Sequence, residues 1–336
     1  MQLKPIDQQV VVIFGASSGI GRATALRFAA RGAKVVVAAR SEEGLQSLVE
    51  EIQSADGAAI AVPANVTNLE QVRAVAETAV REYGRLDTWV HVAAVAVYAT
   101  FEQTTPHEFK RIIDVNLTGQ AYGAMVAIPH LKNGGGGALI HISSVEAKRA
   151  LPYHSAYAAS KHGMAGFLDA LRMELEHDDV PISVTNVMPA AINTPFFNKA
   201  RTKMGVKPMG APPIYQPSIV ADAILYAAEN PTPEIVAGGA GKVILLGQRL
   251  VPRLMDAIIA RTCFTMQRTK EPKSENEPYS LFEPIDGYNH VEGDFGDQAR
   301  GSSLGTWLET HPIANAVVGG VALLAVVLLL ERSLKD

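Results

Sequence analysis

Cysteine is almost absent: the 336 residues hold one, Cys263, which excludes an intrachain disulfide and a thiolate zinc cluster. No charge excess exists either. Thirty Lys and Arg against 34 Asp and Glu give a net charge of -4, so nothing points to a nucleic-acid partner. His91 has no second histidine at useful spacing and reads as a packed or hydrogen-bonded residue. No internal repeat is evident. The opening MQLKPIDQQVVVIFG has only a short apolar run that leads straight into a glycine motif, the pattern of a first strand and not of a signal peptide. What the chain does have is apolar material, at 48% of residues, enough for a sizeable core.

Val10 to Phe14 (VVVIF) is a continuous β-branched run, as in a buried parallel strand. GASSGIG follows at once from Gly15 to Gly21, and Arg22 to Arg31 then has helical character. Strand, glycine turn and helix in this order suit a dinucleotide. The glycines let the backbone approach a pyrophosphate, whose charge meets amides at the helix N-terminus. Ser17, Ser18, Gly19 and Ile20 are the candidate contacts in that turn. A second strand, Lys34 to Ala39, ends in Arg40 and not in an acidic residue. A carboxylate there would hold the ribose of NAD; a guanidinium suits a 2′-phosphate, so NADP is preferred.

Further strands are expected over 58–62, 86–94, 138–143, 182–188 and 241–246, with helices between them. Thr67 and Glu70 read as one capping box, Thr105 and Glu108 with Pro106 as another. The alternation predicts an α/β doubly wound parallel sheet of the Rossmann type in one catalytic domain, residues 1–267. The stretch from Pro195 to Pro217 has no clean period, and long loops of this kind often act as lids.

Between Ser144 and Lys161 the chain reads SVEAKRALPYHSAYAASK. Tyr157 and Lys161 are four apart, so a helix puts them on one face. A phenol is a poor base at neutral pH; a neighbouring ammonium favours the phenolate, which would make Tyr157 a usable general acid or base. Ser144 lies across a loop containing Pro152, where it can return to the same site as a hydrogen-bond donor.

With these residues in place, the chain resembles the short-chain dehydrogenase/reductase family over about residues 8–262. Gly15, Gly19 and Gly21 match its cofactor turn, Asn116 its helix-borne asparagine, and Ser144, Tyr157 and Lys161 its remaining catalytic positions. Pro189 to Thr194, with Ile192, match the segment at the nicotinamide end. The resemblance implies hydride transfer between a nicotinamide cofactor and an alcohol or carbonyl. Tyr157 would exchange the proton, Ser144 would hold the oxygen, Lys161 would tune Tyr157 and grip the ribose, and Asn116 would position a water. Asn65, Val66 and Ala93 fall at further cofactor positions. There are departures: Phe14 stands where the family usually has Thr, Asn65 replaces an Asp, His91-Val92-Ala93-Ala94 replaces Asn-Asn-Ala-Gly, and Ala190 replaces a glycine. A catalytically inactive nucleotide-binding scaffold is the alternative that these departures favour, and an epimerase or dehydratase is a third.

Beyond residue 267 the composition changes. Residues 268–312 are polar with scattered aromatics and read as a linker or arm, with a strap over the catalytic domain as the other possibility. Ile313 to Leu330 is uncharged and as a helix would span about 27 Å, just short of a bilayer core. A C-terminal transmembrane helix is expected, followed by a short tail over 331–336 and leaving the enzyme membrane-associated and facing the cytoplasm. Ala316 and Gly320 offer a face for helix dimerisation, and so for a homo-oligomer. The anchor suggests a lipophilic small-molecule substrate.

Overall fold

In the computed structural model, which describes residues 1–311 and 313–315, seven parallel strands form one sheet. They are β1 (Val10–Phe14), β2 (Lys34–Ala39), β3 (Ala58–Pro63), β4 (Thr88–His91), β5 (Gly137–Ile142), β6 (Ile182–Pro189) and β7 (Glu234–Ala237). Their order across the sheet is β7-β6-β5-β4-β1-β2-β3. The reversal between β1 and β4 opens a crevice at the carboxyl ends of the strands, where ligands of such sheets bind.

Side chains alternate across β1. Val11 and Ile13 enter one core with Phe28 of α1 (Gly19–Ala30), Leu45 of α2 (Glu42–Ser54) and Ile219 of α8 (Pro217–Glu229). Val10, Val12 and Phe14 enter the other with Val72 of α3 (Leu69–Tyr83), Leu131 of α5 (Gly119–Asn133) and Met164 of α6 (Ser155–His177). Burial on both faces is why the strand is an unbroken apolar run. Thr105 caps α4 (Pro106–Ile113) with the expected reciprocal bonds to Glu108. At α3 the cap is instead Asn68, whose side chain accepts from Gln71 N, because Thr67 turns its hydroxyl onto Asn65 Oδ1 at 2.9 Å.

Three expectations need correction. The run over 241–246 is not a strand but lies in α9 (Gly239–Leu250), followed by α10 (Pro252–Met266). A short run of four apolar residues, Val243 to Leu246, fits either element; here Gly238, at φ 109°, breaks the chain out of β7. Residues 195–217 are no structureless loop. They hold the short helix α7 (Phe196–Lys199) and strand pairs, Arg201–Thr202 with Val97–Tyr98 and Ile214–Tyr215 with Ala191–Ile192.

Residues 268–311 are likewise no free linker. Arg268–Pro272 pairs antiparallel with Val206–Pro208, Leu281 is 1% exposed inside the second core, and the final helix α11 (Leu304–Glu309) docks on β7, where Thr306 Oγ accepts from Gly238 N at 2.8 Å. The segment is a strap. The expected transmembrane helix over 313–330 falls, beyond residue 315, outside the described residues; among those described, no helix is long and apolar enough to cross a membrane.

Candidate active site

A cavity of ≈ 300 Å³ lies over the crevice. The glycine turn, the ends of β2 and β4, and the segment after β6 bring Gly15, Ser17, Ser18, Gly19 and Ile20 to one side, with Arg40, Asn65, Val66 and Ala93. Ser144, Tyr157 and Lys161 close the other end, beside Pro189, Ile192 and Thr194. Two expected residues do not line it. Gly21 packs beneath the turn, where a Cβ would overlap Gly15 O. Asn116 lies in a π turn, Asp114–Thr118, that joins α4 to α5. Its amide is fully engaged there: Oδ1 accepts from Val95 N at 2.8 Å, and Nδ2 donates to Val95 O at 2.9 Å and to Ser160 Oγ at 3.3 Å. Asn116 therefore fixes the chain beyond β4 against the helix that carries Tyr157.

The Tyr157–Lys161 pair shares one face of α6 as the spacing demands, with the ammonium 5.4 Å from the centre of the phenol ring. Lys161 Nζ donates to Ile142 O at 2.8 Å, so the lysine bridges α6 to the end of β5. The expected lowering of the Tyr157 pKa is not what the structure shows. Burial, and then the Glu146 carboxylate, hold the phenol well above its usual value, while the Ser144 hydroxyl draws it back in part. Lys161 is brought down to about 7 by burial, against the pull of Glu146. Both effects follow from removing charged forms from water. Ser144 is held in place as the cap of a short turn, its Oγ accepting from Glu146 N at 3.1 Å.

The departures from the family pattern are physically linked. Phe14 stacks on His91 with ring centres 5.2 Å apart, and His91 stacks on His141 at 5.6 Å. Phe14 O still accepts from Val92 N and Ala93 N at 2.8 and 3.1 Å. An aromatic stack thus fills the interior behind the end of β4 without breaking its backbone bonds. His91 is packed, as expected. Asn65 Oδ1 is taken by Thr67 N and Oγ, which leaves its amide N–H groups for a ligand.

The structure adds groups that the sequence reading missed. Lys199 Nζ donates to Ser18 Oγ at 2.5 Å, and burial together with the charge of Arg40 lowers the lysine to about 8. The strap crosses this end of the cavity. Arg40 donates to Phe282 O at 2.6 Å and Ser280 O at 2.5 Å, and Gly19 N donates to His290 O at 2.9 Å. Burial and the neighbouring Arg111 lower Arg40 to about 10. The contacts are made largely through strap carbonyls, which no side-chain pattern announces. A glycine turn whose underside excludes any Cβ, beside two half-buried cations with no carboxylate bonded to either among the described residues, fits a dinucleotide phosphate.

A family model described as short chain dehydrogenase matches residues 9–205. An uncharacterized oxidoreductase, YxnA of Bacillus subtilis, is 38% identical over 320 residues, covering 95% of this chain and 90% of the relative. The 3beta-hydroxysteroid dehydrogenase 1 of Eggerthella lenta is 40% identical over 189 residues, 56% of this chain and 72% of that protein. Among solved structures, a short chain dehydrogenase from Mycobacterium paratuberculosis bound to NAD superposes with a TM-score of 0.62 at 27% identity, covering 70% of this chain and 97% of that one. The similarity to YxnA continues through the strap, whereas the family model ends before it. On the strength of that match and of the sheet order that accompanies it, this chain belongs to the short-chain dehydrogenase/reductase family.

Proposed function

We propose that the protein is an NADP-preferring oxidoreductase that reduces a carbonyl, or oxidises the corresponding alcohol, on a lipophilic substrate at a membrane surface. The observation that carries this reading is the convergence of Tyr157, Ser144 and Lys161 on one end of a cavity whose other end holds the glycine turn. The nicotinamide supplies or accepts the hydride. Gly15 to Ile20, Arg40, Asn65, Val66, Ala93, Ile192 and Thr194 would hold the dinucleotide.

The remaining chemistry belongs to the chain. Tyr157, kept protonated by burial and by Glu146, gives its hydroxyl proton to the carbonyl oxygen in the reductive direction. Ser144 holds that oxygen with a hydrogen bond. Lys161, near 7, exchanges a proton close to neutral pH and fixes the phenol's surroundings through Ile142 O.

Support for NADP comes from Arg40 at the end of β2 and from Lys199, which burial first and then the charge of Arg40 lower to about 8; an anion between the two would favour both charged forms. Support for a lipophilic substrate comes from α9. One side of it gives Ala240 and Ile244 to the cavity, while Val243, Leu246 and Leu250 are exposed on its surface, an arrangement suited to contact with lipid.

The test is titration of the full chain with NADPH and NADH, followed by turnover on hydrophobic ketones. Tight NADPH binding, weaker NADH binding and loss of turnover in Tyr157→Phe with NADPH binding retained are expected. Tighter NADH binding overturns the NADP preference, and activity confined to small polar sugars overturns the lipophilic substrate.

A further inference from the structure

Beside the reacting end of the cavity lies a second pair of side chains that the mechanism above does not use. His154 precedes α6 and Glu146 follows Ser144; both line the cavity and both are buried. His154 Nδ1 meets Glu146 Oε1 at 2.7 Å, and Glu146 Oε2 accepts from Leu151 N at 3.3 Å. The carboxylate therefore fixes the ring with its proton on Nδ1 and leaves Nε2 as the unprotonated nitrogen. The ring edge packs against Tyr98, centres 4.2 Å apart, and the ring lies 5.3 Å from that of Tyr157.

A purely structural role accounts for Nδ1 and for the ring, but not for Nε2, which is buried and has no hydrogen-bond partner among the described residues. Native proteins rarely leave such an atom unpaired. His91 and His141 also have an unpartnered Nε2. Those rings lie in the aromatic stack and do not line the cavity. His154 does, within a small molecule's reach of Tyr157.

We propose that Glu146 and His154 form a recognition dyad for a second oxygen on the substrate, a hydroxyl near the carbon that Tyr157 and Ser144 serve. A hydroxyl fits because it donates to a neutral Nε2 and accepts from a protonated one. The substrate is then a hydroxyketone or the matching diol, apolar elsewhere to suit Leu151 and Phe197 in the same wall. This deepens the oxidoreductase reading and rests on it. Glu146 has two offices: it orients His154, and its backbone N–H holds Ser144 Oγ, which ties substrate recognition to the reacting centre. His154 is a specificity residue and takes no part in proton transfer.

The experiment compares cyclohexanone, 2-hydroxycyclohexanone and 3-hydroxycyclohexanone as substrates of the wild type with NADPH. One hydroxylated ketone should exceed the parent in kcat/KM by at least about tenfold, since a site built to bond a hydroxyl rejects the analogue that lacks it. His154→Phe should erase the ratio while leaving cyclohexanone turnover within about threefold, and His154→Gln, which keeps a polar side chain at that position, should restore part of it. NADPH titration checks that each variant is folded. A ratio near one in the wild type, or one that survives in His154→Phe, overturns the proposal. Absence of turnover on all three ketones counts against the parent reading instead. Binding of the three to the NADPH complex of Tyr157→Phe, read as a thermal shift, then decides the dyad without catalysis: equal shifts overturn it, and a larger shift with a hydroxyketone upholds it.

Discussion

Leu281→Ala tests whether the strap is part of the fold. Leu281 is 1% exposed in the core shared by α3, α5 and α6, and it sits between the two carbonyls that hold Arg40. Its own carbonyl accepts from Arg111 Nε at 3.0 Å. Truncating a buried leucine to alanine costs about 2–5 kcal/mol. The strap's other ties at this end are hydrogen bonds from Arg40 and Arg111, each worth roughly 1.5–3 kcal/mol, a backbone bond from Ser280 N to Lys199 O, and the stacking of Phe282 on His107 and of Tyr279 under Arg201, so loss of its one deeply buried leucine removes a substantial part of its docking energy. A loss of about 3 kcal/mol raises the open fraction of the strap roughly a hundredfold. The strap should open before the sheet does, since it adds no strand to the main sheet and local openings follow such boundaries. When opening and closing are fast, proteolysis tracks the open population. Limited proteolysis under native conditions should therefore cut within 274–303 about a hundredfold faster in the variant, with unchanged far-UV circular dichroism. A cleavage rate within threefold of wild type would refute the argument, because Leu281 would then not hold the strap down.

Lys161→Met isolates the buried ammonium. A lysine lowered from 10.5 to about 7 in the folded chain binds fewer protons there than in the unfolded chain across that window. Wild-type stability should accordingly gain on the order of 3 kcal/mol from this group between pH 7 and 9.5, lose it again as pH falls from 9.5 to 7, and change little from this group below that. Urea midpoints of wild type and variant at the two pH values should converge or cross; parallel shifts would show that the lysine is not depressed. Gly21→Ala places a Cβ against Gly15 O, backbone that cannot swing aside. About 1–3 kcal/mol of stability should be lost, together with dinucleotide binding by titration; retained NADPH affinity would mean that the turn does not shape the site.

Legibility in the sequence followed the physics of each element. β1, the glycine turn and α1 were readable because a buried parallel strand, a tight turn and a helix each impose a local pattern. The Tyr157–Lys161 face was readable because helical geometry fixes it. The fate of 241–246 was not, since an apolar run as short as Val243 to Leu246 suits either a strand or a helix and the decision lay in the turn at Gly238. The strap was half legible. Its aromatics hinted at anchoring, but its grip on Arg40, Arg111 and Gly19 is made by backbone carbonyls, which every residue possesses. The Glu146–His154 pair was invisible because the chain joins those residues through a loop, so their spacing carries no periodic meaning. The raised pKa of Tyr157 was missed for a related reason: the sequence places Lys161 beside the phenol but does not reveal that burial and Glu146 outweigh it.

The strap bears on cofactor choice through what it offers Arg40. A guanidinium has five N–H donors; Ser280 O and Phe282 O take two of them, leaving three. Both partners are neutral carbonyls, so they aim the fork without cancelling its charge. Had the strap presented a bonded carboxylate here, the pair would have neutralised the site and a 2′-phosphate would have been repelled. Glu283 is close enough to raise Arg40, but burial and Arg111 outweigh it, and the net effect is a lowering to about 10. At neutral pH Arg40 thus stays charged. Lys199, pressed down to about 8 by burial and by that same charge, stands beside Ser18 as a second cation. Two cations held close together and partly removed from water gain more from an anion than either would in bulk solvent. The strap thus aims Arg40 through neutral carbonyls and takes the Gly19 amide with His290 O, so that the positive charge left for an anion at this end of the cavity is that of Arg40 and Lys199.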